Sequence, residues 1–196
     1  VVASVALARR LARQGADAII AEGTEAGGHI GEMTTMCLVP MVVDAVEIPV
    51  IAAGGIADGR GAAAVFALGA EGIQLGTRFI CAEESPAHIS YKERVIKARD
   101  RDTVVCGSST GHPVRVIENR FSRSYLAKEK EGLSADELEK MGAGRYQAAV
   151  KGDTENGSLL AGQCSGLVKK VEPAAAIVQD VMETAEKILK GLCDRL

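Results

Sequence analysis

Residues 49–59 read Pro-Val-Ile-Ala-Ala-Gly-Gly-Ile-Ala-Asp-Gly. The apolar run from Pro49 to Ala53 has no polar interruption, the pattern of a strand covered on both faces. It breaks at Gly54-Gly55, and Asp58 stands where an N-cap would open a helix over Gly59–Leu68, closed by Gly69. The pattern repeats on both sides. Asp17–Ala21 reads as a strand after a Ser4–Gln14 helix, a helical stretch covers Met36–Val46, and Gly72–Leu75 is a third strand. Strand, helix, strand, helix, strand implies a parallel sheet with right-handed crossovers.

Composition agrees with such a core. Of 196 residues, 47% are hydrophobic but only 3% aromatic, with no Trp, so the interior must be Ala, Val, Ile and Leu. A net charge of -3 excludes a nucleic-acid binder driven by a basic surface. No apolar run approaches the ~18 residues of a membrane span. Arg9 and Arg10 follow the first apolar stretch instead of preceding it, the wrong order for a signal peptide. Five cysteines, at 37, 81, 106, 164 and 193, have no C-x-x-C pair and no His at ligand spacing. They read as reduced, buried thiols of a cytoplasmic protein with no metal site.

Two segments emerge. Residues 1–84 carry the βα units, and Val1-Val2 reads as the end of an earlier strand. Residues 85–196 read as a mostly helical appendage, with charged helices, β-type runs at Thr103–Cys106 and Pro113–Ile117, and an amphipathic helix over Pro173–Leu192. An open parallel sheet leaves apolar faces and edges uncovered, so a second polypeptide segment or a symmetry mate is expected to complete it.

Three glycine-rich stretches follow the three strands: Glu22–Gly31, Gly54–Gly59 and Gly76-Thr77-Arg78. In parallel α/β folds such loops form the functional face, and paired loops on the last strands of a (β/α)8 barrel hold phosphate. Glycine lets backbone amides approach an anion closely. His29 stands among glycines after the first strand, and an imidazole there can donate or accept a proton. His88 and His112 lie outside this face and read as structural or surface groups.

The runs Glu22–Gly31, Pro49–Gly59 and Gly69–Phe79, continued by Tyr91–Asp100, Met141–Gly144 and Ala161-Gly162-Gln163, resemble the flavin-dependent enoyl-acyl-carrier-protein reductases. These share a superfamily of FMN-binding TIM barrels with the nitronate monooxygenases. The resemblance implies that the chain is the C-terminal portion of an α/β barrel, its N-terminal strands lying on a missing half. It implies FMN as cofactor and NADH or NADPH as hydride donor. The substrate would be an enoyl thioester on acyl-carrier protein, reduced at its trans-2 double bond for fatty-acid synthesis, with a homodimer as the expected assembly. Gly54, Gly55, Gly76 and Thr77 match the positions that hold the FMN phosphate, and Gly23 and Gly28 join the cofactor set. His29 matches the active-site histidine, Gln163 lies in a stretch near the flavin, and Glu22 and Glu25 are candidates to orient His29 or bind a ribityl hydroxyl. Nitronate oxidation by FMN and O2 is the alternative. A non-redox phosphate-binding barrel or an inactive barrel fragment represents the other classes.

Overall fold

The computed structural model describes residues 1–193. α1 (Val5–Arg13) opens at Ser4, whose hydroxyl accepts the Leu7 amide at 3.3 Å. Then come β1 (Ile19–Glu22), β2 (Gly28–His29), α2 (Thr35–Val43), β3 (Val50–Ala53), α3 (Gly59–Ala67), β4 (Gly72–Gln74) and the one-turn α4 (Thr77–Ile80). The second segment runs α5 (Ile89–Lys97), β5 (Thr103–Cys106), β6 (Val114–Ile117), α6 (Arg120–Lys130), α7 (Ala135–Gly142), α8 (Arg145–Val150) and α9 (Ala174–Cys193).

β1, β3 and β4 form a parallel sheet in that order, with Ile19 opposite Val50 and Ile51 opposite Gly72. Val2 extends it. Its amide donates to Ile20 O at 2.8 Å, and Glu22 N donates back to Val2 O at 2.9 Å. Small side chains dominate the sheet because helices cover it closely: Ala21 and Ala52 are fully buried against Leu38, Val39 and Val42 of α2. Asp58 caps α3 as expected, accepting from the amides of Arg60 and Gly61 at 2.9 and 3.4 Å. α2 stops at Val43, three residues short of the expected Val46, because Ala45 folds back onto Val42 O in a turn that feeds β3.

The second segment is mostly helical, and its two β runs pair antiparallel with each other and with Gly28–His29. β6 is central, with Val114 opposite both His29 and Cys106. The glycine loop therefore supplies an edge strand to a sheet whose other strands begin at Thr103 and Val114. The backbone of His29, although it stands among glycines, is held in that ladder. Cys37 corrects another expectation, being exposed, whereas Cys81, Cys106 and Cys164 are buried free thiols. α5, charged as its sequence suggested, buries Lys92, whose ammonium donates to Ala82 O at 2.6 Å and Glu83 O at 3.3 Å.

α9 returns to the first segment and lies along α3. Ile177, Val181 and Ala185 are buried there, while Val178, Met182 and Leu192 of the same apolar face stay exposed. Gly59 sets the approach of the two helices. A Cβ on it would stand 2.4 Å from Thr184 Cβ and 2.6 Å from Ala185 N. Gly59→Ala must push α9 outward, and overpacking of this kind costs about 1–3 kcal/mol. A denaturant titration is expected to detect that loss with an unchanged m value.

Candidate active site

The loops after β1, β3 and β4 meet over a cavity of about 360 Å³. Gly54, Gly55, Gly76 and Thr77 all line it, together with Glu22, Gly27, Tyr91, Tyr146, Leu160 and Cys164. Gly54 and Gly55 have φ of +90° and +75°, the left-handed region that excludes most side chains. Gly76 differs: its φ is -97°, and a Cβ on it would meet nothing within 4 Å. Its missing side chain leaves room in the cavity instead of relieving the backbone. Among the described residues, the amides of Gly55, Gly76 and Thr77 donate to no protein acceptor. The Thr77 hydroxyl is already engaged, accepting from Gly162 N at 2.9 Å. A backbone rim of this kind suits an anion.

Gly23 and Gly28 stand outside the lining. A Cβ on Gly23 would lie 2.1 Å from Thr35 Oγ1, so this glycine admits the threonine that ties the loops together. Gly28 pairs with Arg115 in the antiparallel sheet at φ +84°. Gln163 is tied through its backbone, its amide donating to Glu25 O at 2.9 Å. Glu25 meets neither His29 nor the cavity; its carboxylate accepts from Thr35 N at 2.9 and 3.1 Å and from Thr35 Oγ1 at 2.9 Å, capping α2. Glu22 does line the cavity, and burial pushes its carboxyl above the ordinary range.

His29 opens onto a second cavity of about 240 Å³, which shares Tyr146 and Leu160 with the first. His112 lines it too, so the reading of His112 as a group apart from His29 is corrected by strand pairing. Val114 is opposite His29, Ile30 N donates to Pro113 O at 3.1 Å, and His112 lies just ahead of β6. The paired Gly-His dipeptides at 28–29 and 111–112 were the available signal; neither has enough length to read as a strand. His88 is structural, its ring accepting the Ser90 amide at the start of α5.

The other ionisable groups of the two cavities are set against charge. Burial raises the Tyr91 phenol, which donates to Leu160 O at 2.7 Å, and raises the Cys164 thiol. It pushes Cys106 up to about 12. With their pKa values raised, none of these three is a thiolate or phenolate at neutral pH. Among the described residues no group of three or more His, Cys, Asp or Glu is placed to hold a metal, and no helix is long and apolar enough to cross a membrane.

The nitronate monooxygenase family model matches residues 1–184. The chain belongs to that family. It is 40% identical over 187 residues to a probable nitronate monooxygenase of Staphylococcus saprophyticus, covering 89% of this chain and 52% of the relative. Among solved structures, FabK from Thermotoga maritima superposes with a TM-score of 0.95 at 49% identity, over 100% of this chain and 62% of that one. A nitroalkane oxidase from Streptomyces ansochromogenes gives 0.82 at 32% identity, over 97% of this chain and 58% of that one. The chain thus spans about half the length of the curated relatives it matches and corresponds to the C-terminal part of their TIM barrels.

Glu22 offers a direct check of the cavity's desolvation. A carboxyl whose folded pKa is raised takes up protons on folding, so its burial costs stability once pH rises above the unfolded value. Glu22→Gln is expected to raise Tm at neutral pH. The gain should shrink as pH falls below the ordinary carboxylate range, where both states are protonated.

Proposed function

We propose that this chain is the cofactor-phosphate and proton-donating half of an FMN-dependent reductase of enoyl thioesters carried on acyl-carrier protein. The observation that carries this reading is the 49% identity to FabK over the whole chain, against 32% to the nitroalkane oxidase. The site fits FMN. Three undonated amides and the open space at Gly76 suit its phosphate, and a cavity of about 360 Å³ has room beyond them. Bound FMN supplies hydride chemistry, drawn from NADH or NADPH, that no side chain here can provide.

This chain's residues do the rest. Gly54, Gly55, Gly76 and Thr77 hold the phosphate through the backbone. Glu22, at the wall of the same cavity, can accept from a ribityl hydroxyl. Reduction of the double bond places charge on the thioester oxygen and requires a proton at Cα. His29 is the group to polarise that oxygen or deliver the proton, directly or through water. Its ladder with β6 fixes its approach, and pre-set geometry favours transfer. Nitronate oxidation is the second reading, favoured by the names of the curated relatives. His29 would there take the α-proton, so this residue alone does not separate the two.

Substrates do. With the full-length protein, NAD(P)H oxidation driven by a crotonyl thioester is expected to exceed O2 consumption driven by a nitronate; the reverse order would replace the reductase reading by the oxidase one.

Two variants separate cofactor from substrate roles. Gly76→Val places a branched side chain in open space and is expected to keep the fold while the purified protein loses its yellow colour. His29→Ala should remain yellow and still accept hydride from the nicotinamide. Its enoyl half-reaction, followed by stopped flow, should slow ~10²–10⁴-fold.

A further inference from the structure

The second cavity is more than an antechamber to the first. Its mouth holds His29 and His112, and its interior is apolar: Val114 and Val116 from β6, Phe121 and Tyr125 from α6, with Leu160 on the side it shares with the first cavity. Val116, Tyr125 and Cys106 of this lining are buried in one cluster with Leu138. Cys106 closes the β5 side as a buried thiol whose proton is retained. α7 reaches it only at Gly142, where a Cβ would meet nothing within 4 Å. A volume of about 240 Å³ holds roughly eight groups the size of a water, at ~30 Å³ each.

An apolar pocket that opens beside the proton-handling imidazole, and shares two walls with the cofactor cavity, must take the part of the substrate attached to the reacting carbon. We propose that this pocket receives the acyl chain of the thioester, and that Phe121 and Gly142 set the chain length accepted. The proposal rests on the enoyl-thioester reading above. The wall is built for selectivity: Phe121 stacks edge-on against Tyr125 at 5.9 Å, and the Arg145 guanidinium covers its ring at 5.2 Å. A ring so held is a fixed stop, whereas Gly142 opposite leaves unused room.

The test uses the full-length, FMN-loaded enzyme and trans-2-enoyl thioesters of four to twelve carbons on one carrier. In the unaltered enzyme kcat/KM is expected to rise about four-fold per added methylene until the pocket is full, from the transfer free energy of one CH2. Gly142→Leu, which fills the room at the end of α7 and improves helix propensity, should end that rise at a shorter chain. Phe121→Ala should extend it to a longer one. Should Phe121→Ala prove unstable, Gly142→Leu alone decides. If the variants change all chain lengths by one common factor, the pocket does not hold the chain and the proposal is overturned. If the unaltered enzyme reduces no enoyl thioester of any length, the reductase reading fails first and takes the proposal with it.

Discussion

Everything at the mouth of this molecule hangs on a threonine wedged between two glycine loops. The Thr35 hydroxyl lies 2.9 Å from Glu25 Oε2, 2.9 Å from Gly54 O and 3.3 Å from Ala53 O, sharing one proton among them. The fit leaves no room for side chains. A Cβ on Gly54 would stand 2.7 Å from Gly23 O, and one on Gly23 would overlap Thr35. The loops after β1 and β3 are thus in backbone contact. Glu25, drawn in to cap α2, turns its own loop back over the sheet. A buried group that loses such partners costs about 1–3 kcal/mol, so this knot holds the positions of Gly54 and Gly55 as firmly as the strands do.

The second segment is attached to that knot. Arg115, buried on β6, donates to Thr24 O at 3.2 and 3.0 Å. Ala161–Gln163 packs face to face with Glu25–Gly27: a Cβ on Gly27 would lie 2.5 Å from Ala161 C, and one on Gly162 would lie 2.5 Å from Glu25 O. The Ala-Gly-Gln stretch is therefore a clasp, joining the segments through backbone where side chains would hold them apart. Gly162 N also reaches Thr77 Oγ1, so the clasp extends to the third loop. A shift of the second segment would move the free amides of the third loop with it.

The parallel sheet was legible in the sequence because each strand is a continuous apolar run closed by glycines, and each helix carries its own stop signals. Gly54, Gly55, Gly76 and Thr77 fall where that pattern puts them, around one cavity. The rest was hidden for one reason: it depends on contacts across long stretches of chain. β2 is two residues long, with no periodicity to read, and exists only because β6 pairs with it. With that pairing His112 and His29 line one cavity. Gly23 and Gly28 carry the same composition as the cavity glycines, yet one makes space for a threonine and the other turns into a ladder. Sequence composition does not distinguish a glycine that admits a ligand from one that admits a neighbour. What distinguishes them is whether the space beyond is already filled.

That distinction also locates selectivity. Under the function proposed above, His29 would serve equally well as a donor to a thioester enolate or as an acceptor from a nitroalkane, since both need one imidazole near one carbon. On the same proposal the phosphate rim, made of backbone, would be indifferent to the substrate. Chemistry common to the two reactions would thus sit on the strands and loops of the first segment. Discrimination would then come from the shape of the space behind the imidazoles, which α6, α7 and β6 line. A hydrophobic pocket rejects what is too large far better than what is too small, so on that proposal its depth would bound the acyl chain more sharply than it excludes a short nitroalkane. What the structure supplies toward either reaction is the ladder between His29 and Val114, which fastens the backbone of His29 to a wall of the second cavity.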